Sequence, residues 1–310
     1  MCYTYAKKSL PLAKRMARMK GWLVVNGLLQ SNKFAELYAL FGRAAELLGM
    51  ALECKTSTEL FGLVEGGFEE TFSTEGKPDF VLFWDKDYAL AKRLEQAGLR
   101  LFNGAEGVRL ADDKRLTALA LAGKVKTPKT MVAPMTFEGV GYTDLSFLRK
   151  AGETLGFPVV VKEAFGSFGR QVYLAQDEKE LSSLVAGFGY KPFLLQEFIA
   201  ESRGKDMRVN VIGDTVCCAF LRENKDDFRS NITNGGTGVA CVPTEKQAQV
   251  AVAACKALGL DFAGVDLLLG EGGEPIVCEV NSNPHFKSAF EITGLDMSVE
   301  ILRYIGEQLA

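Results

Sequence analysis

Short apolar runs alternate along the chain with stretches in which apolar residues recur every three or four positions. The first pattern predicts strands, and the second predicts helices packed against them. Residues 22–25 read as a strand, 34–48 as a helix stopped by Gly49, and 79–84 as a second strand. A helix to Ala97 follows, with Gly98 as its stop, and then a strand over 99–102. Glycine ends helices because it takes the left-handed conformation without steric cost. This β-α-β rhythm predicts a small open α/β unit over residues 21–110.

Beyond residue 110 the rhythm changes. Helices are predicted over 112–122, 148–155 and 177–185, and strands over 129–132, 158–162, 171–174 and 193–198. The last third favours hairpins. Strands 207–212 and 215–221 flank Gly213-Asp214, a tight-turn signal, and strands 265–269 and 275–280 flank a Gly-Glu-Gly-Gly-Glu turn. A helix over 244–258 has Thr244 as its cap, and a last helix spans 297–309. The whole reads as an α/β fold that becomes α+β toward the C-terminus, with units at 21–110, 111–192 and 193–310.

Composition narrows the function classes. The 310 residues are 47% hydrophobic and 24% charged, which gives each unit material for a core. A formal net charge of −3 leaves no broad basic field for a nucleic-acid backbone, although a small anion needs only a local basic pocket. No run of about 18 apolar residues occurs, so no membrane span is predicted. The seven cysteines are scattered without a C-x-x-C pair, as in reduced thiols of a cytoplasmic protein. With one histidine, His285, a multi-histidine zinc site is excluded. Residues 1–20 carry Lys7, Lys8, Lys14, Arg15, Arg18 and Lys20 with no acid among them. They lack the apolar core of a secretory signal and read as a flexible basic arm, or as a stretch ahead of a start at Met19.

The strongest candidate chemistry lies in the second hairpin. With the turn centred between residues 270 and 275, Leu269 pairs with Ile276 and Asp266 falls opposite Glu279. Side chains alternate along a strand, so Asn281 shares the face of Glu279. Two carboxylates brought close repel unless a cation lies between them. Magnesium suits such a set, because it takes one or two carboxylates and fills its shell with water and phosphate oxygens. Solvated acids at strand ends are the plainer alternative.

Other segments say less individually. Lys162 ends a run that reads as a buried strand, and Gly166-Ser167-Phe168-Gly169 follows. Glycines let backbone N–H groups approach phosphates, and a lysine adds a point charge. The loop is neither a Walker A sequence nor a dinucleotide fingerprint. Gln196-Glu197-Phe198 ends a strand with a carboxylate beside an aromatic, and Asp206 and Arg208 come soon after. Asp227-Phe228-Arg229-Ser230-Asn231 precedes Asn234-Gly235-Gly236-Thr237-Gly238, and Arg229 is a candidate to clamp a phosphate bidentately. Each of these also reads as a solvated loop, and only their order and spacing together carry a signal.

In that order the segments resemble the ATP-grasp superfamily. Val159-Val160-Val161-Lys162 with Gly166-Ser167-Phe168-Gly169 is similar to its first phosphate-binding strand and loop. Gln196-Glu197-Phe198-Ile199 is similar to its adenine-binding hinge. Asp227-Phe228-Arg229-Ser230-Asn231 and Glu279-Val280-Asn281-Ser282-Asn283-Pro284 resemble the RimK-like branch, which contains glutamate ligases and LysX-type ligases. The resemblance covers residues 111–310, and the first unit is similar to a pre-ATP-grasp domain. It implies that Lys114 and Lys162 meet ATP, that Ser167 lies in its phosphate loop, and that Gln196, Glu197, Phe198 and Ile199 border the adenine. It further implies Asp206 near the ribose, Arg229 and Asn231 at the transferred phosphate, and Asp266, Glu279 and Asn281 as metal ligands. The chain departs from the pattern at Asn283-Pro284-His285-Phe286-Lys287-Ser288, where RimK-like sequences usually have a small residue and a glycine. His285 and Lys287 are therefore candidates for specificity, unless the segment is only a helix-entry loop.

The implied activity is ATP- and magnesium-dependent, with manganese as a substitute. A carboxylate is phosphorylated to an acyl phosphate, which an amine then attacks. Lys162 and Arg229 would stabilise the phosphoryl group, and loop 166–169 would act as a lid. The implied substrates are amino acids or peptides, glutamate among them, and the implied assembly is a homodimer or homotetramer with no nucleic-acid or membrane partner. Two alternatives stay open: a kinase that leaves a stable phosphoester, and a nucleotide-binding protein without catalysis. A sensor would not need to keep three metal ligands.

Overall fold

The computed structural model describes residues 9–29, 31–64, 76–232 and 235–310. The first sheet is parallel, in the order β2-β1-β3-β4, built from β1 (Lys20–Val25), β2 (Ala51–Thr56), β3 (Phe80–Trp84) and β4 (Leu101–Phe102). Its central strands are apolar on both faces because helices cover both. Trp22, Val24, Val81 and Phe83 meet α3 (Tyr88–Gln96) and α4 (Ala105–Asp112). Leu23, Val25 and Leu82 meet α2 (Asn32–Leu48) and the distant α10 (Met297–Gln308). The last helix thus completes the core of the first sheet.

The expected basic arm is different from Ser9 onward. Residues 1–8, with Lys7 and Lys8, lie outside the described residues, but α1 (Ser9–Met16) is a helix packed on α10. Met16 and Met19 are buried there, and a Cβ on Gly306 would fall 2.8 Å from Cγ of Met16. Arg15 Nη2 donates to the Leu309 carbonyl at 2.6 Å. Apolar residues at helical spacing bind this segment, while Lys14, Arg15 and Arg18 stay exposed.

The second sheet is antiparallel, in the order β5-β8-β6-β7, from β5 (Thr130–Val132), β6 (Val159–Glu163), β7 (Val172–Ala175) and β8 (Phe193–Glu197). Strand β8, expected to open the C-terminal unit at residue 193, is instead hydrogen-bonded between β5 and β6. Val159, Val161, Phe193 and Leu195 pack under α6 (Phe147–Leu155) and α7 (Glu178–Ala186). Alternation therefore turns Val160, Lys162, Leu194 and Gln196 to the opposite face.

The third sheet runs β11-β10-β9-β12-β13 and is antiparallel throughout. It comprises β9 (Lys205–Ile212), β10 (Thr215–Glu223), β11 (Thr237–Cys241), β12 (Phe262–Leu269) and β13 (Pro275–Asn281). Met207, Val209, Val265, Leu267, Val277 and Val280 face α5 (Lys114–Leu121) and α8 (Glu245–Ala257). A single helix expected over 112–122 is broken at Asp113, whose carboxylate accepts from the Arg115 N–H and caps α5. The break sets Lys114 at a helix start. Short α9 (Lys287–Thr293) follows the last strand.

Candidate active site

The polar face of the third sheet looks across a cleft at the polar face of the second. Asp266 lies directly opposite Glu279 in the β12–β13 ladder, as the sequence suggested, but the turn is not centred as expected. Leu269 pairs with Pro275, Leu268 with Ile276 and Leu267 with Val277. A bulge between Leu267 and Asp266 then moves the register by one, with Cys278 as the extra residue. Two residues of a bulged strand oppose one on its partner, so consecutive side chains are turned to one side. Cys278 and Glu279 accordingly both line the cleft, while Val277 and Val280 stay in the core. The Lys162 ammonium donates to Cys278 Sγ at 3.4 Å, joining β6 to this bulge.

The neighbouring acid is committed to cations within the chain. Arg208 lies beside Asp266 in the β9–β12 ladder and grips both its oxygens, with Nη2–Oδ2 at 2.9 Å. Arg222 adds a contact to Asp266 Oδ2 at 3.0 Å and binds Asp206 through two further hydrogen bonds, one of 2.7 Å. Burial pushes the Asp266 carboxyl upward, but Arg208 and then Arg222 override it and hold the group below its ordinary value. These arginines supply positive charge beside the carboxylate pair, so the pair does not by itself require a metal cation between its members, as the sequence had suggested. Asp206, expected near a ribose, has its carboxylate engaged by Arg222.

A divalent cation still fits the donor set. A carboxylate offers about four lone-pair sites. Arg208 takes one on Oδ1 of Asp266, and the two arginines share Oδ2, so Oδ1 keeps a free lone pair. The Glu279 carboxylate makes no hydrogen bond among the described residues, and the Asn281 side chain uses only Nδ2, toward the Gly264 carbonyl at 3.5 Å. These oxygens are the hard donors that magnesium takes.

Two cavities meet at this face. The smaller, about 100 Å³, is lined by Val160, Lys162, Gln196, Glu197, Phe198, Ile199, Asp206, Leu268 and Asp266. The sequence candidates of the hinge are thus brought together with Lys162. Gln196 Nε2 donates to Thr130 Oγ1 at 2.9 Å, and Glu197 Oε1 accepts from the Lys129 N–H at 2.8 Å, which fixes both side chains. The larger cavity, about 430 Å³, lies between the third sheet, the start of α2 and the ends of β1 and β3. Arg222, Asn231 and Glu279 line both, so they form the boundary between the two.

The glycine loop closes over that boundary. Lys114 Nζ donates to the Gly166 carbonyl at 3.0 Å, Arg229 Nη1 to the Gly169 carbonyl at 2.7 Å, and Lys86 Nζ to Ser167 Oγ at 3.3 Å. Arg229 is itself oriented by a bidentate pair with Asp227, Nη2–Oδ2 at 2.6 Å. Phe168 takes φ 61°, a left-handed conformation costly for a residue with a Cβ, and the Lys33 ammonium sits 4.0 Å from its ring centroid. Burial pushes the Lys114 ammonium downward, with Glu279 opposing. Asn234 lies outside the described residues.

The specificity candidates separate. His285 lines the larger cavity, whereas the Lys287 ammonium pairs with Glu36 on α2 at the surface. Sequence reading missed Asn26, Lys33, Asp85 and Lys86, which line the same cavity from the first sheet and α2. The signal was the polar residue just past each of two apolar strands, Asn26 after Val25 and Asp85 after Trp84.

Comparison with known proteins identifies the family and the fold. The model of the RimK-like ATP-grasp domain matches residues 111–305. N-acetylaspartylglutamate synthase A of Homo sapiens is 36% identical over 222 residues, which are 71% of this chain and 56% of the human protein. The chain therefore spans little more than half the length of that relative. A probable alpha-L-glutamate ligase of Trichodesmium erythraeum (strain IMS101) is 34% identical over 227 residues, covering 71% of this chain and 72% of that protein. Among solved structures, the ATP-grasp ligase PsnB complexed with its minimal precursor, Mg and ADP has the same fold, with a TM-score of 0.68. It is 16% identical and covers 95% of this chain and 98% of its own.

Proposed function

From membership of the RimK-like ATP-grasp family, to which this chain belongs, we infer an ATP- and magnesium-dependent ligase that joins a carboxylate to an amine. The observation that carries this reading is the shared wall. Glu279, Asn231 and Arg222 border both the smaller cleft and the larger cavity. A terminal phosphate of nucleotide in the cleft would meet, at that wall, a carboxylate held in the cavity.

A carboxylate is a poor electrophile because hydroxide is a poor leaving group. Its phosphorylation by ATP gives an acyl phosphate, from which inorganic phosphate departs when an amine attacks, leaving an amide. The protein's part is positioning and charge neutralisation. Lys114, Lys162 and Arg229 would bear on the phosphates, and Gln196, Glu197, Phe198 and Ile199 would border the adenine beside Val160 and Leu268. Asp266, Glu279 and Asn281 would hold magnesium, or manganese in its stead, which when bound neutralises charge on the phosphoryl oxygens. The loop 166–169, tied by Lys114, Lys86 and Arg229, would exclude water from the acyl phosphate. Glutamate, named in both relatives, is the first substrate candidate. We place the enzyme in the cytoplasm, with reduced cysteines, as a homo-oligomer.

The test is a screen of acid and amine pairs for ADP release, followed by mass spectrometry of the product. An amide formed together with ADP and free phosphate is expected. A stable phosphoester, or no turnover with any pair despite ADP binding, contradicts the reading.

A further inference from the structure

The larger cavity holds a group of polar atoms that the phosphate chemistry does not use. Asp85 follows β3 and is 7% exposed, and Oδ1 of its carboxylate accepts from the Lys86 N–H at 2.7 Å and from Asn26 Nδ2 at 3.2 Å. Its Oδ2 is buried without a hydrogen-bond partner among the described residues. Asn283 Nδ2 donates to the Asp85 carbonyl at 2.9 Å, which fixes the amide so that Oδ1 is the other end, and Oδ1 also lacks a partner. His285 Nε2 is buried and unpartnered as well. All three residues line the same cavity.

Two of these atoms can only accept, and the third accepts in the tautomer that carries its proton on Nδ1. A carboxylate oxygen and an amide oxygen accept only, and a neutral imidazole presents one lone-pair nitrogen. Burial pushes the His285 ring down to about 4, so it is neutral at physiological pH. Buried acceptors left without donors are costly and therefore scarce. A hydroxyl supplies one donor and leaves the Asp85 charge uncompensated. A primary ammonium supplies three donors, no acceptor and the opposite charge. The position agrees, because open parallel sheets bind ligands past the carboxyl ends of their strands, where Asn26 and Asp85 stand.

We propose that Asp85, Asn283 and His285 form a receptor for the primary ammonium group of a substrate, an amino acid or a peptide amino terminus. The assignment rests on the ligase reading of the same cavity, but it concerns the amino group of the substrate and not the phosphates. It makes Asp85 a binding residue contributed by the first sheet.

The test is a binding measurement on the full chain with magnesium and ADP, independent of turnover. Pools of amino acids and dipeptides are titrated beside their N-acetylated counterparts, and thermal stabilisation is read for each. At least one free amine is expected to raise the melting temperature while its N-acetyl form does not. Asp85→Asn, which keeps the shape, should weaken that amine about tenfold or more with ADP affinity unchanged. His285→Phe, which keeps an aromatic ring against Phe34, should weaken it severalfold and serves if the first variant does not fold. The proposal is overturned if no free amine binds, if acetylation makes no difference, or if both variants bind like the parent. If magnesium and ADP themselves do not bind, the ligase reading fails instead, and the receptor fails with it.

Discussion

Glu279 faces Asp266 across the β12–β13 ladder, yet the two acids are held by different means. Asp266 is gripped by Arg208 and Arg222, whereas the Glu279 carboxylate has no hydrogen bond among the described residues. Glu279→Gln should therefore lower ADP-forming turnover by roughly two orders of magnitude or more. It should change stability by less than about 0.5 kcal/mol. Asp266→Asn should cost about 3 kcal/mol of stability as well as turnover, because Arg208 loses its counter-charge and Arg222 keeps only Asp206. ADP release and urea unfolding of both variants check the contrast.

Lys162 is buried at the end of β6 and spends its ammonium on the Cys278 thiol, a weak acceptor. A phosphate oxygen would be a far stronger partner. Lys162→Met should weaken ADP binding about tenfold or more, read by calorimetry. Unchanged ADP affinity would remove Lys162 from the nucleotide site.

Arg229 ties the glycine loop to the segment between β10 and β11 through the Gly169 carbonyl. Arg229→Ala should release the loop and cut turnover by roughly a hundredfold, with little change in global stability. Limited proteolysis should show faster cleavage near residues 166–169. Equal cleavage rates in variant and parent would contradict the tie.

His285 gives the fold a pH dependence of known sign. Burial first, then Lys33 and Lys287, push its ring from 6.5 down to about 4, while backbone contacts oppose them. In that window the unfolded chain binds a proton that the folded chain refuses, so stability rises with pH from about 4 and is full above about 6.5. Asp85, in the same cavity and itself pushed upward by burial, contributes in the opposite sense. His285→Gln should flatten the slope of unfolding free energy across this range, measured by urea titration at stepped pH. An unchanged slope would contradict the burial of the ring.

Much of this was legible in the sequence because the elements that carry the site are strongly patterned. β6, β8, β9 and β13 lie within about two residues of their expected spans. The β12–β13 register was right at Asp266 for a partly wrong reason: the turn is offset by one, and the bulge at Cys278 cancels the offset. Bulges leave no periodic trace, so counting outward from a turn cannot reveal them. Edge strand β2, with no buried residue, and β11, with glycine and alanine between short residues, carry little alternation and were missed. Arg208 and Arg222 stood in plain view as charges within apolar strands. Their role depends on which strand lies beside which, and the order β10-β9-β12 cannot be read from any local window.

The central claim is that a divalent cation and the nucleotide phosphates meet on the face made by Asp266, Glu279 and Asn281. A crystal structure of the chain with magnesium and a non-hydrolysable ATP analogue tests it most directly. The expected result is the adenine between the second and third sheets beside Phe198, with magnesium held by Asp266, Glu279 and Asn281 next to the phosphates. Nucleotide bound elsewhere, or a metal that leaves Glu279 untouched, would contradict it.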